Sequence, residues 1–66
     1  MNKFIRIRYA IYNIENIISI QKIERSTQRN NHGLRIDLKN NVEYVYYTTK
    51  KERDSAFEKI SNQLIN

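Results

Sequence analysis

Val42-Glu43-Tyr44-Val45-Tyr46-Tyr47-Thr48-Thr49-Lys50-Lys51-Glu52-Arg53-Asp54-Ser55-Ala56-Phe57 decides the fold, because the hydrophobic period changes inside it. Over 42–47, Val42, Tyr44 and Tyr46 alternate with Glu43, Val45 and Tyr47, the two-residue period of a strand. From Thr49 onward the pattern differs. Thr49-Lys50-Lys51-Glu52 has the form of a capping box, in which the Thr hydroxyl accepts from the amide three residues on and the Glu reaches back to the cap amide. Ala56, Phe57, Ile60 and Leu64 then recur at helical spacing, with Lys51, Asp54, Glu58 and Asn62 facing away. The spacing predicts a strand over about 42–48 and a helix over about 50–64, with Phe57 anchoring the helix to a sheet.

Toward the N-terminus the chain has little punctuation, since Pro is absent and Gly occurs once. Asn takes over as the turn marker because it tolerates positive φ and bonds locally to the backbone. Asn13 to Asn16, Asn30-Asn31-His32-Gly33 and Asn40-Asn41 cut the chain into four segments. In the third, over 33–38, Leu34, Ile36 and Leu38 alternate with Arg35 and Asp37. A three-residue loop at Lys39-Asn40-Asn41, with Asn41 left-handed, sets Leu38, Ile36 and Leu34 opposite Val42, Tyr44 and Tyr46. That register aligns the apolar sets and is preferred to a two-residue Asn40-Asn41 turn, which opposes Leu38 to Glu43. The second segment, over 17–26, is less regular: Ile18 and Ile20 share one face and Ile17 and Ile23 the other. A bulge near Gln21 or Lys22, or burial on both faces, would reconcile them. In the first segment, over 3–12, Ile5, Ile7, Tyr9 and Ile11 alternate with Phe4, Arg6, Arg8, Ala10 and Tyr12, which reads as one strand with one buried face. The expected fold is α+β: an antiparallel four-stranded β-meander followed by one C-terminal α-helix packed on the sheet.

The strand running into Asn13-Ile14-Glu15-Asn16-Ile17-Ile18-Ser19-Ile20, the hairpin after it, and Thr49 through Phe57 together resemble small, largely uncharacterised bacterial and phage proteins built as a four-strand sheet plus one helix. The resemblance covers most of the chain and implies a fold without implying an activity. The strand order is also similar to that of coactivator-type single-strand-binding domains, which dimerise and bind DNA on the sheet side. That similarity is one of topology, with no residue motif to carry over.

At 66 residues the chain is expected to form one domain with a thin core, the size at which a disulfide, a metal or oligomerisation commonly supplements hydrophobic burial. Cys is absent, so neither a disulfide nor a thiolate zinc site can form, and self-association into a homo-oligomer is the remaining means. The absence of Cys fits a reducing compartment, and a cytoplasmic location is expected. No apolar run approaches the roughly 18 residues of a membrane span, and Arg6 and Arg8 interrupt the first apolar stretch, so neither signal peptide, anchor nor membrane association is expected. Twelve Lys and Arg against seven Asp and Glu give a net charge of +5, which favours anionic partners.

Catalytic chemistry finds no support in the residue types. His32, the single histidine, lies in the most turn-like stretch, beside Gly33, where a solvated loop histidine is expected. One His and no Cys leave scattered carboxylates for a metal, whereas a catalytic zinc takes several imidazoles. Asp37 and Glu43 form the one carboxylate pair, and they read as solvated acids balanced by Arg35. A Gly-rich phosphate loop is excluded by the single Gly. No catalytic residue, metal or cofactor is therefore expected.

Bases interleave with aromatics. On the sheet face opposite Ile5, Ile7 and Tyr9, the expected set is Arg6, Arg8 and Tyr12 from the first strand, Arg35 from the third and Tyr47 from the fourth. Arg and Tyr so placed can pair phosphates and stack bases, as single-strand-binding sheets do. The competing reading has the same residues covering a half-exposed sheet or buried against a second subunit. Lys50 and Lys51 open the helix at its positive end, where an anion or simple solvation would offset the unfavourable placement. The expected function is a non-enzymatic binding protein for nucleic acid or an anionic nucleotide; the alternative is a protein-binding inhibitor or regulator of the kind phages and mobile elements encode. A nucleotide held in pockets between subunits is a third reading.

Overall fold

The computed structural model describes residues 3–25 and 29–65. Its order is β1 (Phe4–Ile7), β2 (Ala10–Asn13), a 3₁₀ turn (Ile14–Asn16), β3 (Ile17–Glu24), β4 (His32–Leu38), β5 (Val42–Tyr47) and α1 (Lys50–Ile65). The class is α+β, with antiparallel sheets and the C-terminal helix packed on them. In place of a four-strand meander there are five strands in two sheets, a β1–β2 hairpin and a β3–β4–β5 sheet. The expected end of the second strand at Ser26 lies outside the described residues.

The 3–12 segment folds back on itself. Ile7 pairs with Ala10 and Ile5 with Tyr12, so the chain reverses at Arg8-Tyr9, with Arg8 in the left-handed region at φ 58. For an L-residue this conformation costs roughly 1–2 kcal/mol. The Arg8 guanidinium lies 5.0 Å from the Tyr47 ring centroid and 5.2 Å from that of Tyr9, contacts that offset the cost. A two-residue turn inverts the alternation: Ile5 and Ile7 are buried, whereas Tyr9 and Ile11 are exposed.

The irregularity of the second segment sits at Ile18, not at Gln21 or Lys22. Ile17 faces Leu38 and Ser19 faces Asp37, leaving Ile18 bulged and exposed. Beyond the bulge Ile20 faces Ile36, so Ile17 and Ile20 share the core side.

The last hairpin takes neither register expected from its sequence. A two-residue Lys39-Asn40 turn, closed by the Leu38 amide donating to the Asn41 carbonyl at 2.8 Å, sets Ile36 opposite Glu43, Leu34 opposite Val45 and Gly33 opposite Tyr46. Asn41 is not left-handed. Consequently Val45 and Tyr47 face the core and Tyr44 and Tyr46 face away. Two contacts fix this choice. Tyr12 on the hairpin donates its hydroxyl to Glu43 Oε1 at 2.6 Å on the core side, and Gly33 leaves room for the Tyr46 ring on the other.

Ile5, Ile7, Ile17, Leu34, Ile36, Tyr47 and Ile60 form the core, between one face of β3–β4–β5 and the hairpin and helix laid over it. Burying each such aliphatic side chain contributes about 1.5–3 kcal/mol before conformational entropy is subtracted. The helix begins at Lys50 as the capping residues predict: Thr49 Oγ1 accepts from the Glu52 amide at 3.1 Å. The Glu52 carboxylate turns to the Thr49 hydroxyl, 3.0 Å away, in place of the cap amide. Ile60 is the most buried of the helical stripe, with Ala56, Phe57 and Leu64 packed beside it.

Arg53 is buried, at 3% exposure. Its Nη1 donates to the carbonyls of Ile23 at 2.9 Å and Gly33 at 3.3 Å, and its Nε donates to Asp54 at 2.8 Å. Glu24 lies 3.5 Å from Nη2. These bonds tie the first turn of α1 to the far end of the β3–β4 hairpin.

Candidate functional site

The core side of β3–β4–β5 is covered by the hairpin and the helix, which leaves its other side to be read from strand register. Ser19, Gln21 and Ile23 of β3, Gly33, Arg35 and Asp37 of β4, and Val42, Tyr44 and Tyr46 of β5 point to that open side. Arg25, one residue past β3, joins them. Its Cζ lies 3.5 Å from the Tyr46 ring centroid, and its Nε donates to the Asn30 carbonyl at 3.2 Å. Asn30, left-handed at φ 49, also accepts from the Thr48 hydroxyl at 3.0 Å.

Tyr44 and Tyr46 lie two residues apart on one strand, so their rings share this face. The rings are nearly parallel, 11° apart, with centroids separated by 6.5 Å. Tyr46 rests on Gly33, and Tyr44 is 53% exposed with Val42 beside it. The result is a pair of near-parallel aromatic rings with a guanidinium over the second.

Arg35 and Asp37 continue the face on the central strand. Arg35 Nε donates to Asp37 Oδ1 at 2.9 Å, and the Ser19 hydroxyl donates to Asp37 Oδ2 at 2.6 Å. The bond from Ser19, and then that from Arg35, hold the Asp37 carboxyl below its ordinary range, while the bond to Asp37 raises the Arg35 guanidinium further. Asp37 therefore stays charged and fixes Arg35 in place, with the rest of its guanidinium directed away from Nε and available to an anion.

The residues expected to form one basic and aromatic face are dispersed. Arg35 alone occupies the open side. Tyr12 and Tyr47 face the opposite, core side. Burial, and then the bond to Glu43, push the Tyr12 phenol up to about 12, and burial also raises that of Tyr47 despite Arg8 beside it. Arg8 stands at the hairpin turn over Tyr47, and Arg6 is exposed on the outer hairpin face, paired with Ile11. Lys50 and Lys51 are exposed at the start of α1, beside a shallow depression that also includes Asp54, Ser55 and Glu58. Tyr44, Tyr46 and Arg25 take the places given to Tyr47 and Tyr12. The sequence holds one signal for them: a lone Gly inside a strand is a site where a neighbouring ring can lie flat, and Gly33 lies opposite Tyr46.

Between the hairpin and the outer edge of β5 runs a cleft of about 270 Å³, lined by Ile7, Arg8, Tyr9, Ala10, Tyr12, Tyr44, Val45 and Tyr46. Among the described residues no three of His, Asp and Glu converge as metal ligands would. His32 pairs with Glu24 through Nδ1 at 2.9 Å, on the core side of the sheet. No helix among the described residues is long and apolar enough to cross a membrane. Comparison with known protein families, with curated proteins and with solved structures finds no match.

Proposed function

We propose that the chain is a non-enzymatic binding protein whose open sheet face takes a single-stranded nucleic acid, with a base stacked on Tyr44 beside the Arg25-covered Tyr46 ring and phosphates met by Arg25 and Arg35. The observation that carries this reading is the aromatic row itself: two nearly parallel rings, 6.5 Å apart, with the Arg25 guanidinium over the second. Aromatic and guanidinium surfaces of this kind hold bases by stacking and backbone by charge, without a sequence code. The net charge of +5 adds long-range attraction for a polyanion.

The test is fluorescence anisotropy with labelled single-stranded DNA and RNA at low salt, with duplex DNA and free nucleotides as further ligands. Single strands are expected to bind most tightly, and affinity to fall with salt at a log–log slope of about −0.7 for each phosphate engaged. No binding at low salt sinks the proposal.

A protein partner is the second reading. Phe4 and Ile11 are exposed together on the outer face of the hairpin, with Tyr9 exposed at its turn. A regulator acting by protein contact would use that patch. Affinity capture from the native host, comparing the natural chain with Phe4→Ser/Ile11→Ser, separates the two readings.

A further inference from the structure

We infer that two copies of this chain join along β5, forming a continuous six-stranded sheet in which Tyr44 and Tyr46 of both copies make one aromatic face. The backbone bonds of β5 decide which of its groups face outward. The Leu38 amide donates to the Asn41 carbonyl, so Leu38 and Asn41 are a hydrogen-bonded pair of the β4–β5 ladder. In an antiparallel ladder such pairs alternate, which turns the N–H and C=O of Glu43, Val45 and Tyr47 toward β4 and those of Val42, Tyr44 and Tyr46 outward. Among the described residues these outward groups have no backbone partner. Three residues therefore present a row of donors and acceptors in a β-branched and aromatic strand suited to pairing.

The other edges lack this character. β3 carries the Ile18 bulge and presents Lys22, held by Asp54 at 3.4 Å, both of which oppose strand addition. β1 and β2 are four residues long. On β5 the single charge is Glu43, directed to the core side and occupied by the Tyr12 hydroxyl. A cleft of about 270 Å³ borders this edge, lined by Tyr44, Val45 and Tyr46 on one side and by hairpin residues on the other.

The occupant best matched to this edge is the same edge of a second copy. An antiparallel pair centred on Tyr44 sets Val42 opposite Tyr46 of the partner subunit and Glu43 opposite Val45 of the partner subunit, so the acidic side chains do not oppose each other and the outward groups of all three residues are used. The two-fold axis stands perpendicular to the sheet, so both open faces lie on one side and the tyrosine row doubles in length. Because the β3 edges are blunted, assembly stops at two chains.

The assembly is tested without nucleic acid, so its failure leaves the single-strand reading to be judged by the binding assay. Light scattering at several concentrations is expected to give twice the 8.0 kDa of one chain. Tyr44→Pro removes an outward N–H that the monomer does not use, and is expected to return the mass to that of one chain with an unchanged circular dichroism spectrum. Tyr44→Lys, which sets two ammonium groups side by side at the axis, is expected to do the same, covering the case in which Pro perturbs folding. In the natural chain the Tyr44 and Tyr46 amides are expected to exchange more slowly as concentration rises. A monomer at all concentrations, an assembly larger than two, or a dimer unaffected by both substitutions overturns the inference.

Discussion

Gly33 and Tyr46 face each other across β4 and β5, and a Cβ at position 33 would stand 2.7 Å from two carbons of the Tyr46 ring. The ring lies where a side chain at 33 would otherwise begin, and the Arg25 guanidinium lies 3.5 Å from the ring's centre. Gly33→Ala displaces that ring and with it the aromatic row. Overpacking of this kind costs about 1–3 kcal/mol, partly offset by the reduced freedom of Ala in the unfolded chain. Urea denaturation is expected to show a net loss of about 1 kcal/mol at unchanged m-value. If Gly33→Ala is as stable as the natural chain and binds single strands equally well, the ring is not held by the absence of that Cβ.

Arg53 binds two carbonyls and two carboxylates from a position 3% exposed. Arg53→Ala strands the Ile23 and Gly33 carbonyls and opens a cavity at the helix start. Glu24 and Asp54 are partly exposed and regain water, so the loss is expected near 2–3 kcal/mol, at or below the ~3–5 kcal/mol of a fully buried pair. Arg53→Lys is expected to recover little, because one ammonium cannot reproduce the guanidinium fork. Glu24→Gln, at a 58% exposed side chain, is expected to cost less than about 1 kcal/mol. Comparing the three unfolding midpoints checks the assignment, and equal losses for Arg53→Ala and Glu24→Gln would refute it.

The fold was legible where local chemistry acts alone. The strand-to-helix change at Thr49, the capping residues and the Ala56, Phe57, Ile60 and Leu64 stripe depend on neighbours in sequence, and α1 forms where they place it. Parity along the strands depends on turns, and two turns carried no usable mark. Arg8 takes a left-handed position usually given to Gly or Asn, so the β1–β2 reversal is invisible in the residue types. The Lys39-Asn40 turn is one residue shorter than the loop that aligns the apolar sets, which exchanges the faces of β5. Since the candidate site is defined by which tyrosines face away from the core, the hairpin reversal turned Tyr12 inward and the β5 shift exchanged Tyr47 for Tyr44 and Tyr46, while Arg35, on a strand whose parity read correctly, kept its place. The burial of Arg53 carries no mark in the sequence: helix-dipole electrostatics disfavour a cation in the first turn, and its partners are two carbonyls distant in the chain.

Tyr12 gives the fold an alkaline limit. Burial and the bond to Glu43 raise its phenol from near 10 to about 12 in the folded chain. A group whose folded pKa is raised contributes stability that is complete below the unfolded value and is lost as pH rises from about 10 through 12. Tyr12→Phe removes this contribution and its pH dependence together. Melting temperatures of the two chains are expected to differ most below pH 10 and to converge toward pH 12. Asp37 and Asp54, both lowered below 3.8, act in the opposite sense: their contributions are complete above that value and are lost as pH falls below it. A constant Tyr12→Phe difference between pH 8 and 12 would show that the hydroxyl titrates as it does in the unfolded chain.

Tyr44 and Arg25 separate stacking from charge on the proposed nucleic-acid face. Tyr44 is half exposed, and its ring supports no buried neighbour in the core. Tyr44→Ala therefore has little to destabilise, yet it is expected to weaken single-strand binding by about 1–3 kcal/mol, the worth of one stacked base, with the salt slope nearly unchanged. Arg25→Gln keeps a planar group beside Tyr46 and removes the charge. It is expected to reduce the slope by about 0.7 if Arg25 engages one phosphate. A double variant with Arg35→Gln extends the reduction, and any loss of stability from freeing Asp37 is measured separately by urea. The outcome that defeats this assignment is a slope insensitive to Arg25 and Arg35 but reduced by Lys50→Gln and Lys51→Gln, which would place the anion at the start of the helix, on the far side of the sheet.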